Sequence, residues 1–205
     1  MTEVIDGALA ELGMPVPDSA LARRARELIG DVAPEYLVNH SVRAYAWAVE
    51  LAVHDDVAFD PEILYVSAAL HDIGLVPAYD LGGCFEFDGA VAAEHLALDT
   101  GAPASRARAI YDVIALHMLP EAPAGSAVEV VLLNDSTGTD VTGYRFGDVR
   151  PASVGRILAA YPRLTFKREF AAAFADQAAR KPGCSVARMV ATGKLEAIAT
   201  APFES

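Results

Sequence analysis

Residues 60–74 read DPEILYVSAALHDIG. Asp60 is a good helix N-cap, Pro61 suits the first helical position, and Glu62 complements the positive end of the helix dipole. Leu64, Ser67, Ala68 and His71 then share one helical face, and Gly74 is the stop signal. The small residues on that face leave room beside the imidazole. The run therefore ends by presenting an imidazole and a carboxylate together, His71 and Asp72, at a helix C-terminus whose partial negative charge favours a cation. An ionised Asp beside a His directly after an apolar run is costly to bury without a partner.

The same helical punctuation extends in both directions. Asp18 or Ser19 opens a helix that runs to Gly30. A second spans about 34–53, with His40, Ala44, Trp47, Ala48 and Leu51 at helical spacing. Residues 76–87 read as a loop, with Asp88 capping a helix through Leu98 that Gly101 ends. Pro103 opens a helix to His117, and 120–126 (PEAPAGS) is a break. The stretch VEVVLLNDSTGTDVTGY mixes β-branched residues with a helical context, and a short helix is expected there. Further helices are expected at about 151–161, 165–180 and 185–199. The fold class is all-α: one domain over 1–205, its core at about 34–170, with C-terminal helices 171–200 packed on it.

Of the 205 residues, 53% are hydrophobic, enough for one good core. The net charge of -12 argues against nucleic-acid binding, which needs a basic face, and disfavours an anionic membrane surface. No apolar run approaches the length needed to span a bilayer. The N-terminus lacks a basic segment followed by an apolar one, so no signal peptide is read and a cytoplasmic protein is expected. Cys84 and Cys184 stand without CxxC spacing. A reduced chain is the default for them, with a mutual disulfide as the alternative. The Ala-rich C-terminal helices offer a face for closing the core or for pairing two copies in a homo-oligomer.

His40, His71, Asp72 and Asp140 supply two neutral nitrogens and two charged oxygens, a donor set suited to a divalent metal with positions left for water or substrate. Each residue also has a plainer use. A lone His on an apolar face commonly sits in the core, Asp72 suits a solvent-facing helix end, and Asp140 suits a turn beside Thr142-Gly143. Asp135 competes with Asp140. Asp80, Glu86 and Asp88 offer a second metal site or a general acid/base, with loop and capping roles as the alternative. His95 reads as a core or rim residue and His54 as an exposed one. Phe87 and Met118 are candidate pocket walls, and Arg43 could hold a phosphate, orient Asp72 or make a surface pair.

HSVRAYAW (40–47), AALHDIGL (68–75) and a later Asp resemble the HD-domain superfamily of metal-dependent hydrolases, which are helical bundles. FEFDGAVAAEHL, IALHM, TGTDVTGY and YPRLTFKREF resemble its cyanamide hydratase-like branch. The resemblance implies His40, His71, Asp72 and Asp140 as ligands of one divalent ion, zinc in the first place, with Fe, Mn, Co or Ni also compatible. It implies a catalytic pocket holding His117 and Thr137, beside which Glu86 is a third candidate. The activity implied is hydration of a small nitrile-like molecule such as cyanamide. The alternatives are a phosphohydrolase acting on a nucleotide or small phosphoester, and a helical metal-binding scaffold without catalysis.

Overall fold

The computed structural model describes residues 2–204, and among these there are eleven α-helices and no strand. In chain order they are α1 (Thr2–Glu11), α2 (Ala20–Val32), α3 (Glu35–Asp55), α4 (Pro61–Leu70), α5 (Phe85–Asp99), α6 (Ala104–Leu116), α7 (Val128–Thr142), α8 (Pro151–Ala160), α9 (Phe166–Arg180), α10 (Ser185–Ala191) and α11 (Lys194–Ala199). Three short 3-10 turns cover Ile73–Leu75, Pro77–Tyr79 and Phe146–Asp148. The all-α class is as expected. None of the helices is long and apolar enough to cross a membrane.

Helix α3 is the axis of the molecule. It is buried almost throughout from Leu37 to Ala52, enclosed by α2, α4, α7, α8 and α9. Its side chains, including Trp47 and Leu51, join Leu64 and Leu70 of α4, Ile110 and Ile114 of α6, and Leu133 of α7 in the main core. A second core, rich in aromatics, gathers Phe85, Phe166, Phe170 and Phe174 with Val186 and Ile198, so α10 and α11 close over α9.

The start of α4 follows the sequence reading. Asp60 Oδ1 accepts the amide hydrogens of Glu62 at 3.0 Å and Ile63 at 3.1 Å, a cap that contributes about 1 kcal/mol. The Asp60 amide donates to Glu129 Oε1 at 2.7 Å, tying the beginning of α4 to that of α7. The end of α4 is set by packing. A Cβ on Gly74 would stand 2.1 Å from the carbonyl oxygen of Phe85, so only glycine lets α5 cross this close behind His71-Asp72.

Four expectations are revised. The 128–142 stretch is a full helix of 15 residues, because its β-branched residues pack against α3 rather than into a sheet. The expected single helix over 185–199 is broken at Thr192-Gly193, where Gly193 takes φ +82°. Helix α5 begins at Phe85, and Asp88 caps the preceding loop by accepting from the amides of Leu81 and Gly83. The two cysteines, read by default as reduced, are joined: Cys84 and Cys184, 5.3 Å apart at Cα, directly precede α5 and α10.

Candidate metal centre

Three of the four expected ligands come together where α3 meets the end of α4. His40 Nε2 lies 3.2 Å from His71 Nε2 and 3.3 Å from Asp72 Oδ2, and His71 Nε2 lies 3.2 Å from the same oxygen. All three residues are buried. The backbone decides which atoms face inward. His71 Nδ1 lies 2.8 Å from the carbonyl oxygen of Ala68, which can only accept, so in the neutral ring Nδ1 carries the proton and Nε2 keeps its lone pair. His40 Nδ1 is held the same way at 2.7 Å from Asp140 Oδ2. Asp72 Oδ2 is buried without a hydrogen-bond partner. Three lone-pair atoms this close repel one another unless a cation stands among them, so these residues fit a divalent ion. Among the described residues this is the cluster that could hold a metal.

Asp140 is not part of it, contrary to the four-ligand expectation. It sits behind His40, with Oδ1 and Oδ2 each 2.8 Å from the Arg43 guanidinium. Oδ1 also accepts from Trp47 Nε1 at 2.8 Å and Arg163 at 3.1 Å. Its charge is spent on two buried arginines, and its role is to orient the imidazole. Arg43 is likewise buried and committed, not free to hold a phosphate.

The ionisation of the cluster follows from its neighbours. Burial by itself raises the carboxyl pKa of Asp72 and Asp140, yet both are held well below the ordinary range, Asp72 by the surrounding histidines and Asp140 by Arg43 and His40. Burial pushes the His40 pKa down, but Asp140 and Asp72 outweigh it and raise it. For His71 burial prevails and the pKa falls.

A cavity of about 560 Å³ opens over the cluster, with His40, His71 and Asp72 at its polar end. His117 and Thr137 both line it. His117 is anchored like His71: Nδ1 lies 2.6 Å from the Ile114 carbonyl oxygen, and Nε2 faces Asp72 Oδ1 at 3.6 Å. The Thr137 hydroxyl donates to the Asn134 carbonyl at 3.0 Å, which leaves its oxygen lone pairs to the cavity. Met118 is a wall, whereas Phe87 is half exposed outside it. Glu86 does not line the cavity. It stands behind Ser185, which does, and accepts that hydroxyl's hydrogen bond. Glu86, a catalytic candidate by sequence, thus reaches the cavity only through Ser185.

The suggested second metal site does not assemble. Asp80 pairs with Lys181 at 2.7 Å and Arg180 at 2.8 Å, and Asp88 caps its loop. Asp135 pairs with Arg145 at 2.8 Å, and His95 and His54 are exposed. The sequence reading missed Asn134, whose side-chain amide donates to the carbonyls of His117 at 2.9 Å and Leu119 at 2.8 Å. It also missed the α9 aromatics that brace His40, Phe166 at 4.7 Å and Phe170 at 5.2 Å between ring centres. The i, i+4, i+8 spacing of Phe166, Phe170 and Phe174 was the available signal.

Two proteins of Saccharomyces cerevisiae, cyanamide hydratase DDI2 and cyanamide hydratase DDI3, are similar to this chain. Each is 26% identical over 174 residues, which cover 82% of this chain and 77% of the relative. The HD domain family model matches residues 37–149, a span that begins before His40, takes in His71 and Asp72, and ends past Asp140. With the donors of α3 and α4 set face to face inside that span, the chain belongs to the HD domain family of metal-dependent hydrolases.

Proposed function

We propose that this protein is a metal-dependent hydratase that adds water to the carbon–nitrogen triple bond of a nitrile-like molecule, with zinc as its metal. The observation that carries the reading is the unpartnered Asp72 Oδ2 facing two imidazole lone pairs at the floor of an open cavity. The similarity to two cyanamide hydratases supports the choice of reaction. The donor set supports the choice of metal. Two neutral imidazole nitrogens and one carboxylate oxygen would suit zinc, with a position left for water or substrate.

His40, His71 and Asp72 would hold a divalent ion, which would supply Lewis acidity for the substrate and a more acidic water. The protein does the rest. His117 Nε2 takes a proton from the attacking water as its oxygen bonds the nitrile carbon, and delivers it to the nitrile nitrogen. The resulting imidic acid passes its hydroxyl proton to the same nitrogen and becomes the amide, or urea when the substrate is cyanamide. Thr137, whose own hydrogen is engaged with Asn134, accepts a hydrogen bond from the substrate's N–H. Phe170 and Phe174 give the cavity an apolar wall.

The test is turnover of cyanamide and small nitriles by the metal-loaded protein, followed as urea or amide formation. His71→Ala is expected to lose both bound metal, by elemental analysis, and turnover. Absence of turnover across the panel with metal fully bound would overturn the hydratase reading. The phosphohydrolase reading draws on Arg188 and Lys194, which line the cavity. It requires phosphate release from nucleoside monophosphates above a metal-free control.

A further inference from the structure

The cavity is far larger than a molecule such as cyanamide requires. At about 560 Å³ it lies within the range that holds a drug-sized ligand. Its lining combines the metal cluster with the apolar side chains of Met118, Val141, Phe170, Phe174 and Met189. Arg188 of α10 and Lys194 of α11 also line it, and both are exposed, so they lie on its solvent side. The break at Thr192-Gly193 separates α10, which carries Arg188, from α11, which Lys194 begins.

Their lack of partners is unusual in this molecule. The chain has 16 Lys and Arg against 28 Asp and Glu, so carboxylates are abundant. Arg43 and Arg163 serve Asp140, Arg145 serves Asp55, Asp135 and Asp148, and Arg106 serves Asp60 and Glu62. Lys181 and Arg180 hold Asp80, and even Lys167 donates to the Ala201 carbonyl. Arg188 and Lys194, by contrast, are exposed cations for which the structure gives no carboxylate or carbonyl partner among the described residues. Both border the same cavity.

We infer that the substrate of this site is an elongated molecule with three parts: a reacting group at the metal end, an apolar body, and an anionic terminus received by Arg188 and Lys194. This rests on the reading that the cavity over the cluster is the substrate site. The chemistry of the mouth fits a carboxylate or a phosphate, since a guanidinium and an ammonium together match either. In a protein of net charge -12, local cations are what allow an anion to approach at all.

Calorimetric binding to the metal-loaded protein tests this with a matched series: benzonitrile, 4-cyanobenzoate and 4-cyanophenylphosphonate. The anionic members are expected to bind roughly threefold to tenfold more tightly than the neutral one, an advantage that shrinks as salt is added. In the double variant Arg188→Gln/Lys194→Gln the advantage is expected to vanish, and in Arg188→Glu/Lys194→Glu to reverse. The stronger of the two anions identifies the terminus. Both substituted positions are exposed, and an unchanged thermal midpoint confirms folding. Equal binding of all three ligands by the unaltered protein overturns the inference. So does an anionic preference that survives in both double variants, which would place the anion on the metal. If the ligands bind with the expected preference yet none is hydrated, the hydratase reading fails and the three-part substrate stands.

Discussion

Asp140 accepts from more groups than any other side chain near the site: both arms of Arg43, Trp47, Arg163 and the His40 imidazole. One carboxylate thereby neutralises part of a buried double positive charge and fixes the ring that faces the metal. Asp140→Asn keeps the shape and removes the charge, leaving Arg43 and Arg163 uncompensated in the interior. Removal of one partner from such a buried pair costs about 3–5 kcal/mol, so the urea midpoint of the variant is expected to fall accordingly. Metal affinity is expected to drop about 10- to 100-fold, as for other lost partners of a ligating histidine; titration with a competing chelator reads this. The sequence shows Asp140 as an acid of the right type in the right order, and that much was legible. What places it behind His40 is the arrival of Arg43 from α3 and Arg163 from the segment before α9, and no spacing rule encodes that convergence.

Most helices could be read from local punctuation. Ser19 caps α2 through the Ala22 amide, and Asp60 caps α4. Pro103 and Pro151 stand at the starts of α6 and α8. The harder element was α7, whose Val-rich start weakens the helical signal and whose helicity is decided by burial against α3. Gly193 was a legible breaker inside 185–199, and the apolar residues on both sides of it hid the break. The coupling of α6 to α7 through Asn134 belongs to neither helix alone. Asn134→Ala frees two backbone carbonyls, at His117 and Leu119, and is expected to cost about 1–2 kcal/mol. Hydrogen exchange is expected to quicken in residues 117–126 while the metal content stays unchanged. Loss of metal in this variant would mean that the segment carrying His117 also holds the donor cluster in place.

Over the whole molecule, the excess of acid is managed by pairing. The Arg145 guanidinium holds Asp55 below the ordinary carboxylate range, and Lys181 leads in doing the same for Asp80. Burial alone would raise Glu50 and Asp60, but Arg150 and Arg106 keep both low. A carboxyl whose pKa is depressed on folding contributes stability that is complete above its unfolded value, about 3.9 for Asp and 4.3 for Glu, and that is lost as pH falls through the folded value. These pairs therefore predict a thermal midpoint flat from about pH 5 upward and falling below about pH 4. Glu50→Gln is expected to flatten part of that acid limb, and a differential scanning series in pH checks it.

The bridge between Cys84 and Cys184 spans 100 residues of sequence, and within that span lies the exposed break at 120–126. Backbone and sulfur together make this stretch a closed ring, from α5 round to α10. A protease that cuts once at 120–126 opens the ring without dividing the molecule, and the cut chain acquires new termini between α6 and α7. Such a nicked form is expected to migrate as one species in a denaturing gel without reductant and as two fragments with it. Under native conditions α10, which carries part of the cavity wall, stays tied to α5 although the two lie on opposite sides of the cut.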